Sequence, residues 1–112
     1  MMMELYEGLE EIGQGAFEAC KSLEKIHVPS SVKVIATRAF DGCHELMEVE
    51  LCQGLEEIRA GAFADCKSLK KQITIPSSLR VIGSHVFYGC TGLMVVNLCK
   101  GLKEIGDAAF ED

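Results

Sequence analysis

Six cysteines and three histidines are the residues of this 112-residue chain best equipped for chemistry. Thiols and imidazoles together bind zinc, close disulfides or build nucleophile–base pairs. Their spacing argues against each use. Cys20, Cys43, Cys66 and Cys90 recur once per stretch of similar sequence, whereas a metal site wants tight pairs of thiols. Such recurrence suits a small apolar side chain needed once per structural unit, since free cysteine is among the most buried residue types. These four are expected to be buried, reduced thiols. Cys52 and Cys99 share one position of the pattern but lie two units apart, about 10 Å at the spacing of paired strands and beyond disulfide reach within one chain. They read as turn residues partly packed on their neighbours; if exposed, either would crosslink two chains. His27, His44 and His85 stand at three different places in the pattern. They do not converge on a metal, and none is set beside a nucleophile, so each reads as an ordinary surface histidine. The repeated glutamates read as structural pairs, not as an acid/base couple. With no nucleophile–base set and no phosphate-binding loop, no catalytic residue, cofactor or metal ligand is expected, and the chain is not expected to be an enzyme.

The elements that position these residues are copies of one another. The stretch Gly54–Ile75, GLEEIRAGAFADCKSLKKQITI, has counterparts beginning at Gly8, at Ser78 and at Gly101. Phenylalanine marks the beat at Phe17, Phe40, Phe63, Phe87 and Phe110. Aligned on it, Leu5, Val28, Leu51, Ile75 and Leu98 form one apolar column. Ile12, Ile35, Ile58, Ile82 and Ile105 form another, and Ile26, Val49, Ile73 and Val96 a third. Self-similarity at this period is the mark of a solenoid, in which each coil buries its apolar face on the next. The fold expected for residues 1–112 is a single α/β repeat solenoid, right-handed and β-rich with short helical or 3-10 turns. It has about four coils plus a partial terminal one.

Within each coil, Leu23–Val28, Leu46–Leu51, Leu69–Ile75 and Leu93–Leu98 read as short strands that stack into a parallel sheet. Pro29 and Pro76 follow the strand residues, where a missing amide donor is tolerated. Val32–Ile35 and its equivalents form a second extended piece, and Ala-Phe-x-x-Cys has the spacing of one helical turn. The third strand has a residue too many, Leu69-Lys70-Lys71-Gln72-Ile73, which predicts a bulge between Lys70 and Gln72. Copies also alternate. Tyr6-Glu7-Gly8 and Cys52-Gln53-Gly54 face Pro29-Ser30-Ser31 and Pro76-Ser77-Ser78, and charge alternates down the columns Glu10, Lys33, Glu56, Arg80 and Lys25, Glu48, Lys71. Stacked like charges are destabilising, so the alternation favours this register.

The run Ile-Gly-x-x-Ala-Phe-x-x-Cys-x-x-Leu-x-x-Ile-x-Ile-Pro-Ser-Ser closely resembles the BspA-type leucine-rich repeat, over nearly every residue from Leu5 to Asp112. The chain lacks the asparagine ladder of the ordinary leucine-rich repeat and has the Pro/Cys turn instead. The resemblance implies a curved, leucine-rich-repeat-like solenoid that binds other proteins, in a family many of whose members are surface proteins that look like adhesion modules. It brings no catalytic residue.

Solenoids bind on the extended sheet surface, one row of side chains per coil. The outward strand positions are Lys25 and His27; Met47, Glu48 and Glu50; Lys70, Lys71 and Thr74; and Met94, Val95 and Asn97. These are the candidate partner-binding residues of a non-catalytic interaction module, the partner being an unknown protein. The methionines and Val95 stand out because adjacent exposed apolar groups mark contact surface. A net charge of -6 argues against a nucleic-acid partner. No run of about 18 apolar residues is present to span a membrane, and no signal peptide precedes Glu4. The chain as written is expected in the cytoplasm, or at the cell surface if it is a fragment of a longer array. Neither end carries a polar cap, so a second expectation is a structural spacer or an assembly unit that self-associates through its open ends.

Overall fold

The computed structural model describes residues 2–70, 72–93, 95–97, 102, 104–107 and 109, with the backbone alone for 2–4, 72, 95 and 97. Alternation builds the strands. In β3 (Lys25–Val28) Lys25 and His27 point outward, while Ile26 and Val28 go into the core. β3 lies between β1 (Met2–Glu4) and β5 (Glu48–Leu51) in a parallel sheet, with Ile26 opposite Val49 and His27 opposite Glu50. The second extended pieces are β2 (Glu11–Ile12), β4 (Val34–Ile35), β6 (Glu57–Ile58), β8 (Val81–Ile82) and β10 (Glu104–Ile105). They form one five-stranded parallel sheet in coil order, with Ile12, Ile35, Ile58, Ile82 and Ile105 in register. The coils stack as the repeats require.

The core between these faces is a set of files. Phe17, Phe40, Phe63 and Phe87 stack with ring centroids 5.2, 5.1 and 5.9 Å apart and planes within 5° of parallel. That is the offset stacking aromatic rings favour. Beside them the cysteines form a second ladder, in which the thiols of Cys43, Cys66 and Cys90 donate to the carbonyls of Phe17, Phe40 and Phe63 at 3.1, 3.2 and 3.1 Å. A small apolar residue was expected in this column; the thiol hydrogen adds a donor that alanine lacks. Burial drives these thiols away from ionisation, and Cys90 is pushed up to about 12.

No helix occurs among the described residues, so the expected helical turns are corrected: the Ala-Phe-x-x-Cys segments are chains of tight turns. The amides show why. Ala16, Glu18 and Cys20 donate three residues back, whereas Gly15, Phe17 and Ala19 donate across to Thr37, Ala39 and Asp41 of the next coil. A helix would take all of these amides for itself. Here alternate amides tie one coil to the next, and left-handed residues (Gly15 at φ 62°, Ala19 at φ 56°) keep the turns from propagating as helix.

The alternation of copies has a clamp behind it. The Gly54 amide donates to Ser78 Oγ at 2.9 Å, and that hydroxyl donates to the Leu55 carbonyl at 2.8 Å. Ser31 makes the same pair with Gly8 and Leu9, at 3.0 and 2.7 Å. The second serine of each Pro-Ser-Ser turn thus fastens its coil to the glycine turn before it.

Candidate functional site

One coil boundary differs from the others in the strand pairing of its described residues. β7 (Gln72–Thr74) pairs with β9 (Val95–Asn97), and β5 pairs with β3, but among the described residues no ladder joins β5 to β7. The boundary coincides with the extra residue of the third strand. The expected bulge falls on Lys71, outside the described residues. On either side of it, Leu69 and Ile73 both remain buried in their columns, 3% and 5% exposed. The coils are fastened on either side of this stretch. The Lys70 amide donates to the Met47 carbonyl at 2.9 Å, and Gln53 Oε1 accepts from Ser77 Oγ and the Ser78 amide at 3.0 and 3.2 Å.

Between these fastenings lies a groove of about 680 Å³ that opens on the strand face. Its floor is apolar, formed by Ile26, Val49, Leu51, Leu69, Ile73 and Ile75. Val49 and Leu51 are half-buried, while their counterparts Ile26, Val28, Ile73 and Ile75 are buried. Met47 stands at the rim, 38% exposed.

The rim is charged and internally paired. Lys25 Nζ lies 3.7 Å from Glu48 Oε2, and Lys70 Nζ binds the other oxygen of the same carboxylate. The hydrogen bond from Lys70 holds the Glu48 carboxyl below its ordinary range, with Lys25 acting in the same direction. Lys25 and Glu48 pair as the column predicted, and Lys70 joins them; Lys71, expected as the third member, lies outside the described residues. Further along the rim, His27 Nδ1 lies 2.5 Å from Glu50 Oε1, and its Nε2 lies 3.7 Å from Cys52 Sγ.

Seven of the expected partner-binding residues thus line one groove: Lys25, His27, Met47, Glu48, Glu50, Lys70 and Thr74. Val95 and Asn97 lie on β9, the strand paired with β7. Lys71 and Met94 lie outside the described residues. Sequence reasoning missed the floor residues Val49 and Leu51, and Gln53 and Ser77 at the far lip. It also placed no neighbour beside His27, yet Glu50 sits in the same column one coil on, and Cys52 lies two residues past Glu50. Both offsets were legible.

Stacked parallel-strand coils with leucine, isoleucine and phenylalanine files and an open strand face define a leucine-rich-repeat solenoid. The chain belongs to the BspA-type leucine-rich repeat family, whose model, described as a region of six repeat copies, matches residues 3–112. Among solved structures it is similar to a leucine-rich repeat protein of T. pallidum, with 45% identity and a TM-score of 0.94 over 99% of this chain and 54% of that one. A leucine-rich cell surface protein of Faecalibacterium prausnitzii is 28% identical, with a TM-score of 0.80 over 94% of this chain and 31% of its own length. A leucine-rich repeat protein of Bacteroides ovatus is also 28% identical, with a TM-score of 0.78 over 98% of this chain and 34% of its own. The chain spans about half the length of the first and about a third of the other two. No curated protein matches it. Among the described residues, no helix is long and apolar enough to cross a membrane.

Proposed function

We propose that the chain is a non-catalytic protein-interaction module that holds an extended segment of a partner protein in the groove between β5 and β7. The observation behind this reading is the groove on the strand face, with its apolar floor. An extended segment laid along the strand face presents every other side chain to it, and these can enter the apolar groove beneath. Val49 and Leu51 supply the apolar floor for those side chains. Lys25, Glu48, Lys70, His27 and Glu50 form a polar rim of both signs, which suits a partner with little net charge around an apolar centre. A cell-surface setting is part of the proposal, supported by the F. prausnitzii relative that is described as a cell surface protein.

Selection of peptides from a random display library against the folded chain tests it. The expected winners alternate apolar and polar residues, and Met47→Lys or Leu51→Asp weakens them at least tenfold while the far-UV spectrum is unchanged. Peptides indifferent to both substitutions would sink the groove. Light scattering over a concentration series addresses the alternative, a unit assembling through its ends: mass rising with concentration in a groove-substituted variant would favour that alternative.

A further inference from the structure

The contacts of His27 have a consequence independent of what the groove binds. Glu50 Oε1 accepts from the Nδ1 side of the ring at 2.5 Å. A carboxylate there selects the tautomer that carries its proton on Nδ1. The unprotonated Nε2 then faces Cys52 Sγ, 3.7 Å away. Nucleophile, base and an acidic group orienting the base stand in that order, the arrangement that activates a thiol. The three belong to adjacent coils and are held by the β3–β5 register, which sets His27 opposite Glu50. Cys52 and His27 are partly exposed, the His27 side chain by 42%, so a small reagent can reach them.

We propose that Cys52 is a reactive thiol that exchanges with low-molecular-weight disulfides, with His27 as its base and Glu50 as the residue positioning that base. Cys52 Sγ attacks one sulfur of the reagent, the reagent's S–S bond breaks and a mixed disulfide forms on Cys52. The thiol proton passes to His27 Nε2, and the departing thiolate takes it up. Electrons balance within the exchange: the reagent's disulfide is the oxidant, and one thiol leaves for each thiol consumed. Burial, followed by the carboxylates of Glu50 and Glu7, pushes the Cys52 thiol up. Unaided it would exchange slowly, because the thiolate is the attacking species. A base in contact removes that handicap during the attack. Cys20 is the natural comparator: also free and partly exposed, but with no histidine in contact among the described residues.

The test uses dithiodipyridine in excess and follows release of the thione. One version of the full chain has Cys20→Ser and Cys99→Ser, leaving Cys52 as the accessible thiol; the other has Cys52→Ser and Cys99→Ser, leaving Cys20. Cys52 is expected to react at least about tenfold faster than Cys20, given that a positioned base contributes about 10²–10⁴-fold. His27→Ala in the first version should remove that advantage, and free imidazole should restore much of it, a rescue that a purely structural role would not give. Glu50→Gln should leave an intermediate rate. Equal rates for Cys52 and Cys20, an undiminished rate in His27→Ala, or no rescue by imidazole would each overturn the proposal.

Discussion

Replacing Phe63 with alanine removes the centre of the phenylalanine file. Its ring is fully buried and stacks on two others, with centroids 5.1 Å from Phe40 and 5.9 Å from Phe87. A buried Phe→Ala change costs about 3–5 kcal/mol in lost transfer energy and cavity. Of that, two ring contacts account for about 0.5–1.5 kcal/mol each. Phe17 is half-buried and stacks on Phe40. In a solenoid each coil's stability is its own plus that of its neighbouring interfaces, so Phe17→Ala should cost about half as much. With a urea m-value of about 2 kcal/mol/M, the midpoint should fall by about 2 M for Phe63→Ala and about 1 M for Phe17→Ala. Circular dichroism in urea reads both. If Phe63→Ala leaves too little folded protein to measure, Phe63→Leu keeps an apolar side chain but loses the stacking, and its loss should be about 1–2 kcal/mol. Equal losses at positions 17 and 63, or less than about 1.5 kcal/mol for Phe63→Ala, would refute the idea that stacked files hold the coils together.

Further outcomes follow from other contacts. Cys43, Cys66 and Cys90 are buried and hard to ionise, so mass spectrometry after iodoacetamide treatment at neutral pH should find them unmodified until the chain is unfolded. Burial, then the carboxylates of Glu18 and Asp65, raises the Asp41 carboxyl above its ordinary 3.8. The folded state therefore holds that proton more tightly than the unfolded chain does, and stability is lost as pH rises through the raised value. Asp41→Asn should raise the melting temperature at pH 7, with the gain fading as the pH falls through the raised value and gone below 3.8. Ser78→Ala leaves the Gly54 amide and the Leu55 carbonyl without their clamp and should cost about 1–3 kcal/mol by thermal unfolding. Gly83→Ala places a methyl 2.7 Å from the Ala60 amide nitrogen; a backbone neighbour cannot swing aside, so a marked drop in melting temperature is expected.

The period of phenylalanine, cysteine and branched aliphatics was enough to specify a stack of coils, because each apolar position has one place to go: onto its copy above and below. The phenylalanine file, the five-stranded sheet and the outward row on β3 and β5 were all legible for that reason. The turns were not. Ala-Phe-x-x-Cys has helical spacing, but its amides are shared between coils, and spacing along one copy cannot reveal a bond to the next. The reason for Ser78 and Gly54 was hidden in the same way, since each half of the clamp looks like ordinary turn chemistry until the coils are superposed. The extra residue after Leu69 was visible as a count. How the strand takes it up is a matter of pairing between coils, which a count along one copy does not give; Leu69 and Ile73 keep their places in the core on either side. The groove, and the meeting of His27, Glu50 and Cys52 beside it, are products of that packing: local sequence says what can be buried or bonded, while only the stacked chain brings residues of adjacent coils within reach of one another.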